Sequence, residues 1–101
     1  MAEIRWTSEA ETWFRDIDEY IAADKPSVAI KVVEGICDKA QTVRQFPEMG
    51  YVHRTEKEGE IRIILFGHYR IAYLWWTEKD VVSILGVFHG ALGIDRYIEM
   101  A

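Results

Sequence analysis

The 101-residue sequence has one cysteine, two prolines and no long uncharged apolar run. The lone Cys37 cannot form an internal disulfide. It lies within an apolar helical pattern and reads as a small core residue, not a reactive thiol or ligand. No segment approaches the roughly 18 apolar residues that mark a membrane-spanning helix. The opening MAEIRW lacks the basic-then-apolar layout of a signal peptide, so a cytoplasmic protein without membrane contact is expected. No histidine has a Cys or His neighbour at metal-ligand spacing, so neither a metal nor a cofactor is expected. Basic charge is also scarce. The net charge is −5, and residues 1–50 hold most of the imbalance, with six Lys/Arg against ten Asp/Glu. Such a chain repels polyphosphate, which disfavours DNA or RNA binding by the chain alone.

Apolar residues, by contrast, are plentiful. They make up half of the chain, and aromatics make up 13%, enough for one folded domain over residues 1–101. EIRWT (Glu3–Thr7) alternates as a short strand does. Ser8 with Glu11 fits a capping box, opening a helix from about Glu9 to Ala22 with Ala10, Trp13, Phe14, Ile17, Tyr20 and Ile21 as its apolar stripe. Of these, Trp13, Phe14 and Tyr20 are expected in the core. ADKP breaks the chain, and Pro26 suits the first turn of a second helix. That helix buries Ala29, Val32, Val33, Ile36, Ala40, Val43 and Phe46. Phe46-Pro47 stops it, and Gly50 lies in the following turn.

From Tyr51 the period becomes two. Tyr51–Arg54, Ile61–Phe66, Tyr69–Trp76 and Val81–His89 read as strands, with TEKEGE (Thr55–Glu60) as an exposed loop and Ile94–Met100 as a short terminal helix. Gly67-His68 joins the middle pair, and Gly in the first position favours a type II′ turn. The order β-α-α-β-β-β-β gives an α+β domain: a mainly antiparallel sheet with the antiparallel helical hairpin on one face.

That hairpin raises the functional question. With Gly67-His68 at its tip, Phe66, Ile64 and Arg62 share one face with Tyr69, Ile71, Tyr73 and Trp75. Leu65, Ile63 and Ile61 share the other with Arg70, Ala72, Leu74 and Trp76. Both faces are oily, and the helices cover only one. The second face is expected to form a partner surface, the alternatives being cover by the C-terminal segment or by a homodimer.

The ordered set IRWTSEAETWFRDI, YIAADKPSVA, FPEMG, R-x-x-x-x-G-x-Y-R-I-x-Y (Arg62, Gly67, Tyr69, Arg70, Ile71, Tyr73) and VVSILGVFHGALGIDRYI resembles the RelE/ParE superfamily of type II toxin–antitoxin toxins. YIAADKPSVA and the His89-Gly90-Ala91 segment look closer to the ParE side. The resemblance implies a cognate antitoxin whose extended or helical segment binds across the toxin.

For the target, ParE-like relatives imply DNA gyrase, inhibited by binding. RelE-like relatives imply ribosome-dependent mRNA cleavage, in which the substrate's 2′-hydroxyl attacks and the protein supplies a base, cations and an acid. Arg70 matches the family's phosphate-contacting arginine. The family's two strand lysines, however, fall at Ile61 and Ile63, and His89-Gly90-Ala91 replaces the basic residues expected after the last strand. These departures favour gyrase over the ribosome and leave Arg70, His89, Arg96 and Tyr97 as candidate catalytic residues only for the alternative. Arg62, Arg70, Trp75, Trp76 and Phe88 are the candidate partner-binding residues. Arg62 and Arg70 have opposite facing, and Arg62 is expected to stack over Tyr73. The acidic outer face of the first helix (Glu9, Glu11, Asp16, Asp18, Glu19) reads as solvated, with attraction of a basic antitoxin as a second hypothesis.

Overall fold

The computed structural model describes residues 1–89, with His89 defined by its backbone. The elements run β1 (Glu3–Trp6), α1 (Ser8–Ala22), α2 (Pro26–Gln45), β2 (Tyr51–Thr55), β3 (Glu60–Phe66), β4 (Tyr69–Trp76) and β5 (Val81–His89). The strands form one sheet in the order β1-β5-β4-β3-β2. β1 is parallel to β5, and every other neighbouring pair is antiparallel. The α+β class and the element order are those read from the sequence. The expected terminal helix, Ile94–Met100, lies outside the described residues.

Helix α1 starts one residue earlier than its expected capping box. Thr7 is the cap: its Oγ1 accepts from the Ala10 N–H at 3.1 Å and donates to the Ile84 carbonyl at 2.8 Å. The reason is the strand before it. The Thr7 N–H also bonds Ile84 O, so the end of the β1 ladder holds Thr7 extended just where the helix needs a non-helical cap. At the far end of the hairpin, Pro26 takes the first turn of α2 as expected. The close of α2 is tied back to the chain's beginning. Ala2 N–H donates to Arg44 O, one of the orphan carbonyls of a helix end, and Arg44 Nε returns a bond to Ala2 O.

The hairpin register is the one read from the sequence, from Phe66↔Tyr69 to Ile61↔Leu74. Gly67 supplies the positive φ (56°), and His68 does not share it, which fits the type II′ turn. The helices lie on the face that carries Ile64, Ile71, Tyr73, Val82, Ile84 and Val87, which close with Ala10, Ile36, Ala40 and Val43 into the main core.

Three residues expected inside are outside. Cys37 is exposed, being about 100° around α2 from the buried Ile36. Tyr20 is 83% exposed in the last turn of α1, beyond Ile17, the last residue of that helix packed against the core. Phe46 is also exposed because α2 ends there and the chain turns away.

The larger correction concerns the second face of the sheet, expected to stay open for another polypeptide. It is closed over most of its length: Ile63 and Ala72 are 0% exposed, Phe88 3% and Ile61 4%, while Leu65 remains 54% exposed. Glycine is part of the reason. Gly86, opposite Ala72, presents no side chain, and the Phe88 ring lies over it; a Cβ at Gly86 would stand 2.5 Å from Cζ of that ring. Trp13 of α1 completes the packing, meeting Phe88 edge-on at 5.1 Å and 63°. It can do so because β1 flanks β5 only as far as Ile84. The two oily faces of the hairpin therefore reflect burial within the chain.

Candidate partner-binding site

The candidate residues named from the sequence separate into three places. Arg70 stands on β4 between Leu65 of β3 and Phe88 of β5, half-buried, on the face away from the helices. Among the described residues, no hydrogen bond or ion pair holds its guanidinium. Trp76 continues the same face at the other end of β4. Its Nε1 donates to Ser83 Oγ at 3.0 Å, and Lys79 Nζ lies 5.5 Å from its ring. His89 pairs with Tyr69 in the strand ladder. Arg96 and Tyr97 lie outside the described residues.

Arg62 and Trp75 come together on the helix-covered face. The guanidinium sits 5.8 Å from the Trp75 ring, not over Tyr73 as expected. Competing partners draw it away. Nε and Nη2 donate to Glu60 Oε1 at 3.1 and 2.9 Å, and Nη1 donates to the carbonyls of Glu48 and Gly50. Trp75 Nε1 reaches Asp80 Oδ1 at 3.4 Å. With its side chain 14% exposed, Arg62 clamps the loop after α2.

Tyr73 locks the same loop from below. Its buried hydroxyl donates to Pro47 O at 2.6 Å and accepts from the Gly50 N–H at 3.0 Å. Gly50 is needed for that approach, since a Cβ there would fall 2.7 Å from both Tyr73 Oη and Ile63 O. Burial pushes the Tyr73 phenol above its ordinary pKa, against opposing pulls from the Gly50 N–H and Arg62.

With the second face closed, exposed apolar side chains gather elsewhere. Phe46 and Met49 are exposed in the segment leading into the edge strand β2, Tyr51 and Val52 at its start, and Tyr20 and Val28 lie together at the tip of the helical hairpin. A third feature is concave. Glu11, Phe14, Arg15 and Asp18 fall on one face of α1 and, with Trp6 of β1 and Cys37 of α2, line an open cavity of about 380 Å³. Trp6 and Phe14 meet edge to face at 5.6 Å and give it an aromatic floor. Among the described residues, no group of acidic, His or Cys side chains is placed to hold a metal, and no helix is long and apolar enough to cross a membrane.

A family model described as "ParE toxin of type II toxin-antitoxin system, parDE" matches residues 4–91. The chain belongs to this ParE toxin family. Two solved structures share its fold. The chromosomal ParDE toxin–antitoxin system from P. aeruginosa aligns with a TM-score of 0.70 at 18% identity, covering 88% of this chain and 96% of that one. The RelBE2 toxin–antitoxin complex from Mycobacterium tuberculosis aligns at 0.61 and 26% identity, covering 87% and 96%. No curated protein matches significantly.

For this ParE-family toxin, inspection of the sequence missed both the loop lock and the α1 cavity. The lock had no local signal, because Tyr73 and its partners Pro47 and Gly50 lie 26 and 23 residues apart. The cavity had one: Glu11, Phe14, Arg15 and Asp18 recur at i, i+3, i+4 and i+7, a stripe of mixed character beside the apolar one.

Proposed function

We propose that this toxin acts by binding DNA gyrase and not by cutting RNA, and that a cognate antitoxin neutralises it. The observation carrying this reading is the burial of Ile61 and Ile63 on the face they share with Arg70. Cleavage by the substrate's own 2′-hydroxyl needs cations around the phosphorane, with a base and an acid in reach. Arg70 is a single cation. Its neighbours along β3 are apolar where a basic cluster would have to stand. A net charge of −5 further weakens attraction to RNA. Inhibition by binding requires none of these groups. The antitoxin is inferred from family membership and from the two structural neighbours, both of them toxin–antitoxin systems.

The alternative is a ribosome-dependent mRNA endonuclease. Arg70 favours it, since its guanidinium has no partner among the described residues. Parallel reactions separate the two. The purified protein is added to a gyrase supercoiling assay and to a translation extract whose mRNA ends are mapped. Loss of supercoiling with intact mRNA is expected. New mRNA ends that vanish with Arg70→Ala, while supercoiling continues, would overturn the proposal.

A further inference from the structure

We infer that the cavity between α1, β1 and α2 seats an antitoxin segment through one apolar side chain flanked by two basic ones. This rests on the antitoxin-bound toxin proposed above and adds where, and by what chemistry, the antitoxin is held.

The floor is Trp6 and Phe14, two aromatic rings in edge contact. A volume of about 380 Å³ has room for a large apolar side chain, the kind of anchor that dominates a protein interface. The rim carries the charge. Glu11 and Asp18 stand two helical turns apart on one face of α1, about 10 Å along the axis, and among the described residues neither makes an ion pair. Arg15 lies between them, so the rim reads acidic, basic, acidic. Around it, Glu9, Asp16 and Glu19 keep the field of α1 negative in a chain of net charge −5. Such a field draws a basic segment and rejects an acidic one. Carboxylates about 10 Å apart match basic residues seven apart on one face of a helix. The apolar anchor falls between them.

The cavity wall carries its own reporter. Cys37 is exposed, lines the cavity and is the chain's sole cysteine. Partial desolvation of the thiol, then the charge of Asp38, raises its pKa, so thiol alkylation is best timed at mildly alkaline pH. The probe is the purified small protein encoded by the adjoining reading frame. Bound to the full-length toxin, it should slow alkylation of Cys37 at least tenfold. The double substitution Glu11→Gln, Asp18→Asn should weaken its affinity about tenfold, in line with two partly exposed ion pairs, and should flatten the salt dependence. Protection is read on the unaltered chain, so the result stands even if the double variant folds poorly. Tight binding with Cys37 reacting at its free rate would overturn the cavity while leaving the antitoxin reading intact. Absence of any binding would overturn both.

Discussion

Replacing Tyr73 by Phe removes one oxygen and keeps the shape of a fully buried ring. That oxygen makes two bonds, 2.6 Å to Pro47 O and 3.0 Å from the Gly50 N–H, and Gly50 is itself buried. A buried polar group stripped of its partner costs about 1–3 kcal/mol. Two such groups would cost about 2–6 kcal/mol together. Pro47 is only half-buried and Arg62 still grips the carbonyls of Glu48 and Gly50, so the expected loss is about 2–4 kcal/mol. For a domain near 100 residues, each kcal/mol lowers Tm by roughly 4–8 °C, so calorimetry should register a fall on the order of 10 °C or more. Denaturant melts of both proteins give the free energy directly. A loss below about 0.5 kcal/mol would refute the reasoning, since it would mean water satisfies Pro47 and Gly50 as well as the phenol does.

The same residue gives a pH signature whose sign is fixed by its environment. Burial raises the folded-state pKa of Tyr73 above its ordinary value of 10.0. The folded protein therefore holds the phenol's proton more tightly than the unfolded chain does. Its contribution to stability is complete below pH 10.0 and is lost as pH rises from there through the folded-state pKa. Tyr73→Phe lacks this term, so its melting temperature should fall less steeply in that alkaline range. Parallel slopes for the two proteins would contradict the assignment.

Two further substitutions probe the joints of the fold. Thr7→Val should cost about 1–2 kcal/mol, because it removes the α1 cap and the bond to Ile84 together, whereas Thr7→Ser should stay near wild type in thermal melts. Gly86→Ala places a methyl 2.5 Å from the Phe88 ring; the ring must move, opening the second face. Lower stability with new binding of an apolar dye is expected, and an unchanged melt without dye binding would show that Phe88 does not seal that face.

The element order, the register of the β3–β4 hairpin and its turn were legible in the sequence, because each is written in local spacing: period two in Ile61–Phe66, a glycine at position 67, a proline at 26. Local spacing misplaced what depends on geometry across the molecule. Ser8 and Glu11 satisfy a capping pattern, yet Thr7 caps because β5 fixes it from 77 residues away. Alternation assigned Ile63 and Ala72 to the outer face correctly. It could not reveal that Phe88 folds across Gly86 to meet Trp13, and so it turned a sealed face into a docking surface. Arg62 was singled out for binding, while its guanidinium is bonded to Glu60 and to the carbonyls of Glu48 and Gly50. The family, by contrast, was legible, since ordered motifs survive errors about which side chain faces water.

The most direct measurement of the central claim is a titration of gyrase supercoiling with the purified toxin, repeated with Arg70→Ala and with the antitoxin added first. Inhibition that saturates with toxin, persists in Arg70→Ala and disappears when antitoxin precedes it is the predicted result. Full supercoiling at every toxin concentration, from a protein that still arrests growth in cells, would contradict the claim.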